Sequence, residues 1–191
     1  ALQELVLRKK VFQYLPNLKY TNLVALTCTL CLSSCAVLTN FPNLRKLTVT
    51  LKPSSGDNVN IGSGILLELD YLYLECYEQL PGGSILAVVR MARSLRHLLL
   101  QMHQNYTSYV EWVSIAECCP QLLTLESWIN DLTDETLGEL CRLCPHITTL
   151  VIGRSGSITD AGVLFITQRL HHLQFLRLCN CPQLTDLSLV H

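Results

Sequence analysis

Leu173-Gln174-Phe175-Leu176-Arg177-Leu178-Cys179-Asn180-Cys181-Pro182-Gln183-Leu184-Thr185-Asp186 sets leucines at 173, 176 and 178 and closes on a Thr-Asp pair. Leu176 and Leu178 alternate with Phe175, Arg177 and Cys179, which is the period of a short strand with one face buried. Thr185 is suited to cap a following helix by accepting from its free N–H groups. Asp186 would place negative charge at the positive end of that helix. The stretch therefore reads as strand, turn and helix start within a few residues.

The same spacing recurs along the chain. L-x-x-L-x-L positions fall at Leu2, Leu5, Leu7; Leu44, Leu47, Val49; Leu69, Leu72, Leu74; and Leu95, Leu98, Leu100. They continue at Leu122, Leu125, Ser127; Ile147, Leu150, Ile152; and Leu173, Leu176, Leu178. From Leu44 the starts at 44, 69, 95, 122, 147 and 173 differ by 25, 26, 27, 25 and 26 residues. Leu132-Thr133-Asp134, Ile158-Thr159-Asp160 and Leu184-Thr185-Asp186 keep the same beat, as do Pro16, Pro42, Pro120 and Pro145. Independent markers in step over this length identify a repeat architecture.

Each strand is followed by roughly 20 residues that include a helical pattern, as in 134–144. A strand, a crossover and the next parallel strand coil to the right. The expectation is an α/β right-handed solenoid of about eight repeats, curved like a horseshoe, with a parallel concave sheet and convex helices. Residues 1–191 are expected to form a single domain of this kind. Before Leu44 the register is less plain: Leu23-x-x-Leu26-x-Cys28 is preferred over a strand starting at Leu18. Residues 52–64, rich in Pro, Ser, Gly, Asp and Asn, read as a flexible loop within the third repeat.

These repeats resemble the cysteine-containing subclass of leucine-rich repeats, of form LxxLxLxxCxxLTDxxLxxLxxxCPxL. The last repeat matches its first half, and Cys119-Pro120-Gln121-Leu122 and Cys144-Pro145-His146-Ile147 match its end. The match is close over residues 95–191 and loose over 1–94. Asn130 and Ser155 replace the turn cysteine in two repeats, both small and able to bond neighbouring backbone. That subclass is typical of F-box/leucine-rich-repeat proteins, the substrate receptors of SCF ubiquitin ligases. The resemblance implies a module that holds a protein substrate, with the SCF adaptor and cullin reached through an F-box absent from this chain. A structural scaffold subunit of a large assembly is the alternative expectation.

Composition narrows the classes. Hydrophobic residues are 49% and charged residues 15%, enough apolar material for a continuous core. A net charge of −1 offers no footprint for nucleic acid. The apolar runs are too short to span a bilayer. Ten cysteines would suggest a disulfide framework in a small secreted chain. In a chain of this length, recurring at inward repeat positions, they read as buried and reduced, in the cytoplasm or nucleus. The sequon Asn105-Tyr106-Thr107 points the other way and reads as a chance match.

Cys141-Arg142-Leu143-Cys144 has metal-like spacing, and Cys179 and Cys181 lie near His171 and His172. Without two converging pairs these read as repeat cysteines, so neither metal nor cofactor is expected. No P-loop, G-x-S-x-G or paired-glycine fingerprint occurs, and the histidines form no constellation with a nucleophile. The chain is expected not to be an enzyme.

The residues between the strand leucines point away from the core. The expected binding face comprises Tyr71, Tyr73, Glu75, His97, Leu99, Gln101, Glu126, Trp128, Phe175 and Arg177, with Thr124, Thr149 and Val151 beside them. Thr27, Thr29, Thr48 and Thr50 give the first repeats a more polar face. Exposed aromatics with a few charges are the composition of binding hot spots. The leucine pattern runs to both ends of the chain, so further polypeptide or a partner is expected against the end repeats.

Overall fold

A computed structural model describes residues 2–7, 22–53, 66, 68–103, 108–129 and 132–189. The chain divides into two compact units, Ala1–Leu95 with Met102–Gln104, and Arg96–Gln101 with Asn105–His191. Both are α/β, and every paired strand runs parallel to its neighbour.

The first unit carries β1 (Glu4–Val6), β2 (Ala25–Cys31), β3 (Lys46–Lys52) and β4 (Tyr71–Cys76), paired in chain order. Leu5, Leu26, Leu47 and Leu72 stand in one row across the strands. Leu26, Leu47 and Leu72 are essentially inaccessible to solvent, as are Leu30 and Leu74 along the same inward face. The register that begins at Leu23 is the one the structure adopts: Leu23, Leu26 and Cys28 are all buried. Behind the strands, a 3-10 segment (Leu32–Asn40) turns Leu32, Cys35 and Leu38 inward, and α1 (Ser84–Val89) adds Ile85, Val88 and Val89. Fully burying an aliphatic side chain contributes roughly 1.5–3 kcal/mol, so this inward face dominates the stability of the unit. Of the expected 52–64 loop, Lys52 instead closes β3, while 54–64 lie outside the described residues. Pro16 and the sequon also lie outside them.

The second unit carries β5 (His97–Met102), whose last residue counts with the first unit, β6 (Thr124–Ser127), β7 (Thr149–Gly153) and β8 (Phe175–Cys179). Helices α2 (Tyr109–Cys118), α3 (Asp134–Leu143) and α4 (Asp160–Arg169) intervene, with α2 packing on α3 and α3 on α4. The helix expected over 134–144 is α3, ending one residue earlier with Cys144 as its cap. Leu98, Leu125 and Leu150 fill one buried row, and Leu100, Ser127 and Ile152 the next. Ser127 occupies a leucine slot there, fully buried and with its hydroxyl unpartnered. On β8, Leu176 is 38% and Phe175 51% exposed.

The Thr-Asp pairs do more than was expected of them. Thr133 caps α3 by accepting from the Thr136 amide at 3.3 Å, and Thr159 caps α4 from the Ala161 amide at 3.2 Å. Each Asp then reaches the next repeat. Asp134 accepts from the Thr159 amide at 2.9 Å and its hydroxyl at 2.6 Å, and Asp160 accepts the same two groups of Thr185. The carboxylate therefore fixes the neighbouring cap as well as favouring its own helix N-terminus.

The recurring Cys-Pro pair has a similar reason. The Cys144 thiol donates to the carbonyls of Cys119 (3.4 Å) and Ala116 (3.6 Å) at the end of α2, which also accept from the Leu122 and Cys119 amides. A proline then follows Phe41, Cys119 and Cys144, the residues at which the 3-10 segment, α2 and α3 stop. All ten cysteines are free, and six of them are buried, as the inward repeat positions predict. Among the described residues no helix is long and apolar enough to cross a membrane.

Candidate functional site

In the second unit the outward side chains of four parallel strands form three columns. The first aligns His97, Thr124, Thr149 and Phe175. The second aligns Leu99, Glu126, Val151 and Arg177. The third sets Gly153 beside Cys179, with Trp128 just past the end of β6. His97 Nδ1 and Thr124 Oγ1 lie 3.0 Å apart within the first column.

Trp128 is the most constrained group on this face. Its indole N–H donates to Glu126 Oε1 at 2.8 Å, two residues back on the same strand face. Its ring lies across Gly153, where a Cβ would collide with indole atoms Cε3 and Cζ3. A glycine at an outward strand position marks such a close approach. The ring is thus held against the sheet over Gly153, half-buried. The backbone N–H of Trp128 also donates to Leu100 O at 2.9 Å, which fixes the main chain beneath it.

Of the residues expected on the face, Leu99, Gln101, His97, Glu126 and Trp128 are half-buried, and Phe175 and Arg177 are exposed. Val151, expected to point outward, is only 6% exposed. It stands between Glu126 and Arg177 in its column, and Glu126 is itself drawn to the indole. Gly153 is the residue that reading by side-chain type passes over. The available signal was a glycine closing a strand, opposite the only tryptophan near an outward position.

Tyr71, Tyr73 and Glu75 lie in the first unit, in register with Lys46, Thr48 and Thr50. Lys46 Nζ sits 4.7 Å above the Tyr71 ring, a cation–π contact. Glu75 accepts from Thr50 Oγ1 at 3.2 Å and from the Tyr77 hydroxyl at 2.6 Å. That bond to the carboxylate raises the Tyr77 phenol above its ordinary pKa. Tyr77 stacks on His103 with ring centres 4.7 Å apart and planes 8° from parallel. Tyr77 and His103, just beyond the strand ends, were not on the expected face and join Glu75, which was.

Among the described residues, neither face gathers a nucleophile, a base and an oxyanion donor into one place. What both offer is fixed aromatic surface beside polar groups. No family model matches this chain, and no curated protein matches it.

The pose of Trp128 is open to direct measurement. Gly153→Ala should push the indole off the sheet and break its bond to Glu126. The chain has two tryptophans, so a Trp112→Phe background isolates Trp128. We expect Gly153→Ala in that background to shift emission to longer wavelength and raise quenching by acrylamide. Unchanged emission would mean the ring does not rest on Gly153.

Proposed function

We propose that this chain is a protein-binding leucine-rich-repeat module, a right-handed solenoid with parallel strands on its binding side, and that it holds substrates for an SCF-type ubiquitin ligase. The binding reading is carried by Trp128, an aromatic side chain immobilised by Gly153 and Glu126 before any partner arrives. Preorganised aromatic anchors lose little freedom on binding, so more of the contact energy appears as affinity. Arg177 and Phe175, exposed two repeats further on and one and two columns away, add the residue types that such interfaces favour. The ligase reading rests on the repeat form, with Leu/Ile-Thr-Asp elements 26 residues apart and Cys-Pro-x-Leu/Ile elements 25 apart. The module would act by holding a protein near the ligase, with no chemistry of its own. The SCF adaptor and cullin would be engaged by an F-box and not by these repeats.

Immobilised protein, compared with its Trp128→Ala variant by quantitative mass spectrometry of retained proteins, tests the reading. Loss of an anchor costs about 2 kcal/mol or more, roughly 30-fold in Kd. The specific partners should therefore drop away from the variant, while circular dichroism stays unchanged. Those partners should also accumulate in cells when the protein is depleted or the proteasome is blocked. Equal retention by the variant would remove Trp128 as the anchor. Retained partners whose levels do not respond would turn the reading toward a scaffold.

A further inference from the structure

Most of the thiols are sealed in the core, but Cys179 and Cys181 are both partly exposed. They flank Asn180, which adopts the left-handed conformation at φ 54°, a turn that Asn tolerates better than most residues. Two residues span at most about 7 Å when extended, and a left-handed residue between them shortens that distance. The pair therefore falls within the Cα separation that a disulfide needs. The Cys181 thiol already reaches the Cys179 carbonyl at 3.6 Å, so its sulfur lies against its neighbour's backbone. Arg177 then completes the group by donating from Nε to Cys179 Sγ at 3.1 Å.

We infer that Cys179 and Cys181 form a peroxide-responsive dithiol, with Arg177 as its positioning residue. Cys179 sulfur attacks one oxygen of hydrogen peroxide, the O–O bond breaks, and hydroxide leaves. Cys179 becomes a sulfenic acid, having given two electrons to the peroxide. The Cys181 sulfur then attacks Cys179 sulfur, expelling its hydroxyl as water and forming the S–S bond. The sum is two thiols and one peroxide giving one disulfide and two waters. The order of events follows from the surroundings. A cationic N–H donor bonds more strongly to sulfur as the sulfur gains negative charge, which favours Cys179 as the first nucleophile. Burial pushes the Cys181 thiol up, which disfavours it as the first nucleophile. The disulfide would be strained by its short loop and so easily reduced, as regulatory bridges are.

The test treats the reduced protein with hydrogen peroxide, blocks remaining thiols with iodoacetamide and follows tryptic peptides over time. The peptide beginning at Leu178 should lose two hydrogens, through an internal disulfide, before Cys31 or Cys118 is oxidised. Cys181→Ser should stop at a Cys179 sulfenic acid that dimedone captures. Arg177→Leu should slow the first step several-fold, and Arg177→Lys should recover part of the rate while leaving the strand intact. Circular dichroism of each variant accompanies the rates. If Cys181→Ser does not fold, the wild-type time course alone decides. Oxidation of this pair no faster than of Cys31 and Cys118, or a rate indifferent to Arg177, would overturn the inference.

Discussion

Raising the pH from 9 toward 11 under reducing conditions should unfold this protein steeply. Five buried thiols, Cys28, Cys35, Cys119, Cys141 and Cys144, are pushed from about 9 up to about 12, chiefly by burial. Below pH 9 these groups hold their protons in both folded and unfolded chains, so their contribution to stability is fully present. Between 9 and 12 the unfolded chain releases protons that the folded chain retains. Proton loss therefore favours unfolding, and the contribution is gone once the pH passes about 12. Each such thiol costs about 1.4 kcal/mol per pH unit within that window. Two lie in the first unit and three in the second. The second unit should thus lose about 4 kcal/mol per pH unit, set against a typical stability of about 5–15 kcal/mol. Urea unfolding at several pH values between 8 and 11 measures the slope. Cys141→Ala should flatten it by about 1.4 kcal/mol per pH unit, which separates thiols from tyrosines and lysines titrating nearby. A stability that is level from pH 8.5 to 10.5 would mean the thiols are not buried as described.

That cluster of buried thiols was legible in the sequence because it follows the repeat. Inward positions recur every 25 to 27 residues, and Cys119 and Cys144 each precede a proline at such a position. The strands were legible for the same reason: L-x-x-L-x-L fixes both the period and the buried side, and β2 through β8 fall where those leucines stand. Residues whose role depends on a neighbouring repeat were harder to read. Val151 looks outward by parity, yet it is buried where it stands in register between Glu126 of β6 and Arg177 of β8. Gly153 has no side chain to attract notice, and its significance is that Trp128 needs the space. Tyr77 and His103 lie past the alternating segment, where strand parity no longer says which way a side chain points.

The Asp-Thr clamp gives the other large effect, and it predicts a change of sign. Asp134 holds the Thr159 amide and hydroxyl, joining the start of α3 to the cap of α4. Asp134→Ala removes two charge-assisted bonds and leaves the Thr159 amide without that acceptor, at a cost of about 2–3 kcal/mol. Gly162, in the first turn of α4, lies under the same carboxylate: a Cβ there would collide with Asp134 Oδ1, and its next neighbour, Ile158 Cγ2, stands at 3.3 Å. In the native protein, Gly162→Ala must displace the carboxylate and should cost about 1–3 kcal/mol. Once Asp134 is already Ala, the obstruction is gone. The Ile158 methyl at 3.3 Å must then give by a few tenths of an ångström, and against that small cost the backbone preference favours Ala over Gly within a helix by about 1 kcal/mol. Gly162→Ala should therefore destabilise the native protein and stabilise the Asp134→Ala variant. The four proteins of this double-mutant cycle, unfolded in urea, give a coupling energy of about 2–4 kcal/mol if the clamp is as described. The same loss from Gly162→Ala in both backgrounds would show that the glycine serves the helix by some other contact, and that the aspartate does not depend on it.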